Sequence, residues 1–119
     1  MFKGLLLKES LADPRVLAGL HITKTETWQV SNAAAGQPSV WTAVSFEEPT
    51  ARADEVADAL SRALKTHGWY ANASTGTYAY VIFSCKIYKY RRGDATQRAA
   101  ARQYGLLMGI PESQLDWKD

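Results

Sequence analysis

Apolar and polar positions alternate with a period of two along several stretches of this chain, and the longest stretch sets the expected architecture. Residues 77–92, TYAYVIFSCKIYKYRR, read as one long strand. In it Ala79, Val81, Phe83, Cys85 and Ile87 face one way, and Tyr78, Tyr80, Ile82, Ser84, Lys86, Tyr88 and Tyr90 face the other. The first set can be buried. The second is a ladder of phenols and ammonium groups on the opposite face.

Ahead of it, residues 2–9 predict a strand whose Leu5-Leu6-Leu7 run implies burial on both faces and a central place in a sheet. Ser10 or Asp13 can cap a brief helix over 15–20, with Pro14 in its first turn and Gly19 keeping it short. Residues 21–30 set Thr23, Thr25 and Thr27 against Ile22, Trp28 and Val30. Residues 40–47 set Val40, Thr42, Val44 and Phe46 against Trp41, Ala43, Ser45 and Glu47. These two runs predict a hairpin joined by a loop of small residues over 31–38.

From Asp54 onward the period changes. Val56, Leu60, Ala63 and Leu64 recur at helical spacing, with acids in the first turn, Lys65 and His67 in the last, and Gly68 as a left-handed stop. A short strand over 69–73 and a turn at Ser74-Thr75-Gly76 lead into the long strand. Asp94 then caps a helix over 95–108 with Ala100, Ala101, Tyr104, Leu107 and Met108 inward, ended by Gly109 and Pro111. Residues 112–119 form a tail that Leu115 and Trp117 can pin to the body.

The resulting order, β-α-β-β-α-β-β-α, resembles the split βαβ pattern of ferredoxin-like α+β sandwiches. The resemblance implies one α+β domain over 1–119. Its sheet would be mainly antiparallel, of about four to five strands, with the two main helices on one face. Val81, Phe83 and Ile87 would lie beneath the helices, leaving the Tyr/Lys face open to solvent or covered by a partner. A fold of this kind implies no function by itself.

Composition narrows the class. With 46% hydrophobic and 22% charged residues the chain is not of the disordered type. No segment approaches the roughly 20 apolar residues of a membrane span, and the apolar run near the N-terminus is too short for a signal peptide. A cytoplasmic location without membrane contact is expected. The net charge of +2 is unevenly spread. Residues 86–111 carry six basic side chains (Lys86, Lys89, Arg91, Arg92, Arg98, Arg102) against Asp94 alone, and the remainder carries eight basic against eleven acidic ones. The single cysteine, Cys85, excludes an internal disulfide and is expected as a small buried hydrophobe.

Catalytic signatures are missing. The chain has no Gly-rich phosphate loop, no His-x-x-x-His, no Cys-x-x-Cys and no Gly-x-Ser-x-Gly. His21 begins a strand with nothing local to orient it, and His67 complements a helix dipole. The acids Asp54, Glu55 and Asp58 belong to a first helical turn, and Glu47-Glu48 lead into a loop. No metal site, no cofactor and no catalytic residue are expected, and the chain reads as non-catalytic.

The expected binding surface is the ladder: Tyr78, Tyr80, Lys86, Tyr88, Lys89, Tyr90, Arg91 and Arg92, with Trp41 able to share the face. Arg98 and Arg102 can extend it toward an anion. Three functions follow. The first is a protein-partner or self-association module, since Tyr and Arg are enriched at interfaces. The second is an RNA or single-stranded DNA binder, whose bases would stack on the tyrosines and whose phosphates would pair with the cations. The RNP signature of RNA-recognition domains is absent between Ala79 and Ile87, which favours protein contact. The third is a small-ligand-binding protein or enzyme with a pocket between sheet and helices, using His21, Thr23, Tyr80 and Arg91. Against all three stands the plain alternative that tyrosine simply suits strands and lysine guards edges. Four tryptophans in 119 residues is a high count, for which core packing is the commoner explanation.

Overall fold

The computed structural model describes residues 1–31, 33 and 37–118. Its strands are β1 (Phe2–Leu7), β2 (Ile22–Gln29), β3 (Val40–Glu48), β4 (Ala71–Ser74), β5 (Tyr78–Phe83) and β6 (Lys86–Arg91). Two α-helices accompany them, α1 (Ala53–Ala63) and α2 (Ala95–Leu107). The strands form one sheet in the order β2-β3-β1-β4-β5-β6, and every neighbouring pair is antiparallel. The small-residue loop expected over 31–38 lies partly outside the described residues. Among the described residues no helix is long and apolar enough to cross a membrane.

The expected ferredoxin-like sandwich, with four or five strands and both helices on one face, is not what forms. The α+β class holds, but the sheet has six strands and the helices lie on opposite faces. The cause is local. The run 77–92 is not one strand but a hairpin, turning at Ser84-Cys85, where Cys85 takes a left-handed φ of 58°. The turn is held from behind. The Ser61 hydroxyl on α1 donates to the Phe83 carbonyl at 2.7 Å, and the Cys85 N–H donates to the Ser61 carbonyl. Cys85 is therefore exposed at a tip rather than buried on a strand.

A two-residue turn reverses the facing of everything beyond it. Across β5 and β6, Tyr78 sits opposite Arg91, Tyr80 opposite Lys89 and Ile82 opposite Ile87, and these pairs share one face. Ala79 with Tyr90, Val81 with Tyr88 and Phe83 with Lys86 share the other. The supposed one-sided ladder is thus divided between two faces.

Each face has its own core. On the α1 side, Phe2 and Leu6 of β1, Val44 and Phe46 of β3, Ala71 and Ala73 of β4, and Tyr80 and Ile82 of β5 pack against Val56, Ala57, Leu60 and Ala63. Gly4 lies at the middle of this layer. A Cβ there would collide with the Phe46 ring and stand 2.7 Å from the Ala73 Cβ, so only glycine lets these two side chains close over β1. Leu64 leaves the helix in extended conformation and bridges to Leu11. The expected helix over 15–20 is a 3-10 helix, Pro14–Gly19, capped by Asp13.

On the opposite side, Ala79, Val81, Phe83 and Tyr90 pack against Ala101 of α2 and against Ile110, Leu115 and Trp117 beyond it. Asp94 caps α2 through the Gln97 N–H at 3.1 Å. Its inward stripe runs through Ala101 and Gly105, whereas Ala100 and Leu107 face solvent. Both α2 and the tail cover only the β5–β6 end of the sheet, leaving the same face of β1, β3 and β2 without a helix.

Candidate functional site: a tryptophan-lined pocket

Where α2 and the tail stop, the uncovered sheet face becomes the floor of a pocket of about 530 Å³. Leu5 and Leu7 of β1 point to this face because Phe2 and Leu6, of opposite parity, point to α1. Asn72 of β4 joins them for the same reason, since Ala71 and Ala73 belong to the α1 core. Leu5 and Asn72 are directly paired, so an apolar and an amide side chain stand together on the floor.

Aromatic side chains make the walls. Trp28 of β2 and Trp41 of β3 are cross-strand partners on this face. Trp41 is buried, with its indole N–H donating to the Pro38 carbonyl at 2.8 Å, and its ring lies 5.5 Å from that of Trp69. Trp69 and Tyr70 arrive on the extended segment entering β4. Gly68 makes the corner before them with φ 86°, its N–H donating to the Met108 carbonyl and its carbonyl accepting from the Gln37 amide at 2.8 Å. Trp117 closes the far side. All four tryptophans of the chain, from four separate segments, therefore line one pocket.

The tail wall is tied down in several places. The Tyr70 hydroxyl donates to the Gln114 carbonyl at 2.5 Å, and Gln114 and Gln37 exchange side-chain hydrogen bonds. The Trp117 indole donates to the Tyr90 hydroxyl at 2.9 Å and meets Tyr70 edge-on. Arg98 lies over the Trp117 ring and donates to the Trp117 carbonyl, while Arg102 reaches the Leu115 carbonyl and Glu112. Burial, and then the nearby Asp116 carboxylate, push the Tyr70 hydroxyl well above its ordinary titration range, so it stays a neutral donor.

Three polar groups of the lining residues have no partner among the described residues. The Asn72 amide and the indole N–H groups of Trp28 and Trp69 make no hydrogen bond with the described residues. Asp116 and Lys118, both exposed at the rim, are the only formal charges among the described lining residues. Histidine and cysteine do not line it, and no group of three potential metal ligands exists among the described residues. Chemically, the arrangement has room for a flat apolar body between its rings and offers it a few hydrogen-bonding groups.

The expected ladder residues go elsewhere. On the α1 side Tyr80 is buried, and its hydroxyl donates to Asp54 at 2.7 Å, with Lys89 donating to the same carboxylate at 3.1 Å. The Tyr80 and Lys89 hydrogen bonds, in that order, hold the Asp54 carboxyl below its usual value. Burial and then Asp54 raise the Tyr80 hydroxyl, and Tyr80 and then Asp54 raise the Lys89 ammonium. Lys89 also covers the Tyr78 ring. On the other side Tyr90 is buried under the tail and Tyr88 is half-buried against Tyr104, with Lys86 over its ring. Arg92 donates to the Thr75 carbonyl. Lys86 and Arg91 are exposed, at different faces of the β6 edge.

The other expected sets also separate. Arg98 and Arg102 serve the tail rather than the β6 surface. His21 and Thr23 lie at the β2 edge, with the His21 N–H donating to Glu48 and the Thr23 hydroxyl to the Ser45 carbonyl. Tyr80 and Arg91 belong to the opposite end of the sheet, so these four do not converge. Trp41 does face away from α1, but it meets Trp28 and Trp69 instead of the tyrosines. The sequence signal for the pocket was the tryptophan count itself. What it lacked was the knowledge that four distant segments meet. Comparison of the chain with protein-family models, with curated proteins and with solved structures returns no match.

Proposed function

We propose that this chain is a small-ligand-binding protein, and that its ligand is a planar, acceptor-rich aromatic or heterocyclic molecule seated among the four tryptophans. The observation that supports this reading is the convergence of Trp28, Trp41, Trp69 and Trp117 on one open pocket whose floor carries an unpaired amide. Trp41, Trp69 and Trp117 are buried and Trp28 is half-buried, so packing holds the rings in place around the cavity, and an aromatic-lined cavity with a few polar groups is the usual form of a ligand site. Flat rings stack between the indoles, and carbonyl or sulfonate oxygens receive hydrogen bonds from Asn72, Trp28 and Trp69. The pocket lining favours binding over chemistry, because it holds no base beside a nucleophile of the kind acyl or phosphoryl transfer needs.

The nucleic-acid reading is weakened by where its residues go. Its tyrosines are split between faces, and Lys89, Arg92, Arg98 and Arg102 are engaged within the fold.

The test uses 8-anilinonaphthalene-1-sulfonate, a fluorophore with a flat naphthalene ring and sulfonate acceptor oxygens, which receives excitation from nearby tryptophan. The folded protein is expected to bind it saturably and one to one, with a cooperative melt that shifts upward on binding. Trp28→Ala, the variant at the most exposed wall, should weaken binding by about tenfold, the equivalent of ~1.4 kcal/mol from lost ring contact. Unchanged affinity in a folded Trp28→Ala protein, or no binding by the folded parent, would sink the assignment.

A further inference from the structure

We infer that this chain forms a two-fold symmetric dimer by pairing the β2 edge of one copy with the β2 edge of another, in a register centred on Thr25. This rests on different residues from the ligand reading and stands without it.

β2 is the end of the sheet, and every residue in it except Trp28 is exposed. The direction of its free backbone groups follows from its pairing with β3. Val30 N–H donates to the Ser39 carbonyl at 2.7 Å, and the pairs Trp28–Trp41, Glu26–Ala43 and Lys24–Ser45 continue that register. Antiparallel pairs alternate between bonded and non-bonded, so residues 24, 26 and 28 spend their backbone groups on β3. Thr25 and Thr27 then turn their N–H and C=O outward, available to another strand.

A second β2 running antiparallel places Thr25 opposite Thr25 of its copy and Thr27 opposite Thr23. It also places Lys24 opposite Glu26, twice by symmetry. Lys24 and Glu26 share a face and are already paired within the strand at 3.3 Å, so the dimer assembles a cluster of two cations and two anions. Slipping by two residues in either direction sets Lys24 against Lys24 or Glu26 against Glu26, which is unfavourable. Charge thus selects the register that the outward backbone groups also allow. The irregular pairing between Ile22 and Lys24 falls on Thr23 and ends the new ladder there.

The other edge cannot do the same. β6 carries Lys86, Lys89 and Arg91 and no acid, so self-pairing there would gather six cations with no anion to offset them. A second copy of this chain is therefore the partner that β2 fits. The dimer would have a continuous sheet of twelve strands, six from each copy, with both tryptophan pockets on the same side.

Charge exchange tests this without depending on a damaged fold. In sedimentation equilibrium, concentration-dependent growth from the 13.2 kDa monomer toward twice that mass is expected. Lys24→Glu and Glu26→Lys, each alone, make like charges face across the two-fold, and each should weaken dimerisation by about tenfold. Mixed together, the two variants restore opposite charges at both pairs and should form a heterodimer about as tight as the parent. A parent that stays monomeric up to about 1 mM, where only the weakest specific association would still be missed, overturns the inference. So does a mixture no more dimeric than its separate components.

Discussion

The two ends of the sheet differ in a single respect that accounts for most of what this molecule offers. At the β5-β6 end both faces are covered, one by α1 and the other by α2 and the tail. At the β2-β3-β1 end the α1 face of β1 and β3 is covered, the opposite face has no helix, and β2 lies largely outside either core. Aromatic rings at the covered end are spent on packing: Phe83 touches Tyr70, Tyr88 and Tyr104, all within about 6 Å of its centroid. Rings at the boundary of the open end, where no helix lies over the sheet, line a pocket, with Trp41, Trp69 and Trp117 buried by their neighbours and Trp28 half-buried. Coverage, rather than residue type, separates an aromatic core from an aromatic site.

The strongest way to break this difference is to uncover the covered end. Trp117 is 5% exposed and holds the tail through the Tyr90 hydroxyl, the Tyr70 ring and Arg98. Trp117→Ala should cost about 3–5 kcal/mol in urea unfolding, as for other buried tryptophans. Hydrogen exchange should then show α2 losing protection before α1 does. Equal loss in both helices would mean that the two cores are not separable.

A smaller change acts from the α1 side. Ser61→Ala removes the buried hydroxyl that holds the Phe83 carbonyl at the hairpin turn, and should cost about 1–3 kcal/mol. Ser61→Thr keeps the hydroxyl and should recover part of that loss, although its extra methyl must be fitted into the core. At the open end the same experiment should give less. Trp28→Ala is expected to lower stability by about 1 kcal/mol or less, because its ring is only half buried, while it weakens ligand binding about tenfold.

The residues explain which parts of this arrangement were legible. Leu5-Leu6-Leu7 announced a central strand, and β1 is indeed flanked by β3 and β4. Asp94 and Gly109 bounded α2 because cap chemistry is local. The hairpin at Ser84-Cys85 was not legible, because neither residue is the Gly, Asn or Asp that marks a two-residue turn. Alternation continues through it without a break, and what holds the turn is Ser61, more than twenty residues away in sequence. One missed turn reversed the facing of Lys86, Tyr88 and Tyr90 and divided the expected ladder between two faces. The pocket failed to show for a related reason. Parity told that Trp41 faces opposite Val44 and Phe46, but only the strand order brings Trp28, Trp69 and Trp117 beside it.

Tyr80→Phe gives the smallest effect and the finest test, since it touches the covered end without uncovering it. The ring stays in the core and only the hydroxyl bond to Asp54 is lost, at an expected cost of about 1 kcal/mol near neutral pH. Asp54 titrates below its ordinary 3.8 in the folded chain, first because of Tyr80 and then because of Lys89. Its contribution is present above the unfolded value and disappears as pH falls through the lower folded one. Because Asp54 is exposed to water, that pH-dependent part should be about 0.5 kcal/mol or less. The gap between parent and Tyr80→Phe should therefore narrow as pH falls through 3.8 and on through the lower folded value. At the alkaline end the folded chain holds its protons above 10.0 on Tyr80 and above 10.5 on Lys89. The stability these contribute is present below those values and lost as pH rises through the folded ones, and the variant should lose less there. Urea unfolding across this range reads both limbs. A gap that stays constant with pH would mean that Asp54 gains nothing from Tyr80. The Tyr80 hydroxyl would then act there as a neutral hydrogen-bond group whose worth does not depend on the charge of its partner.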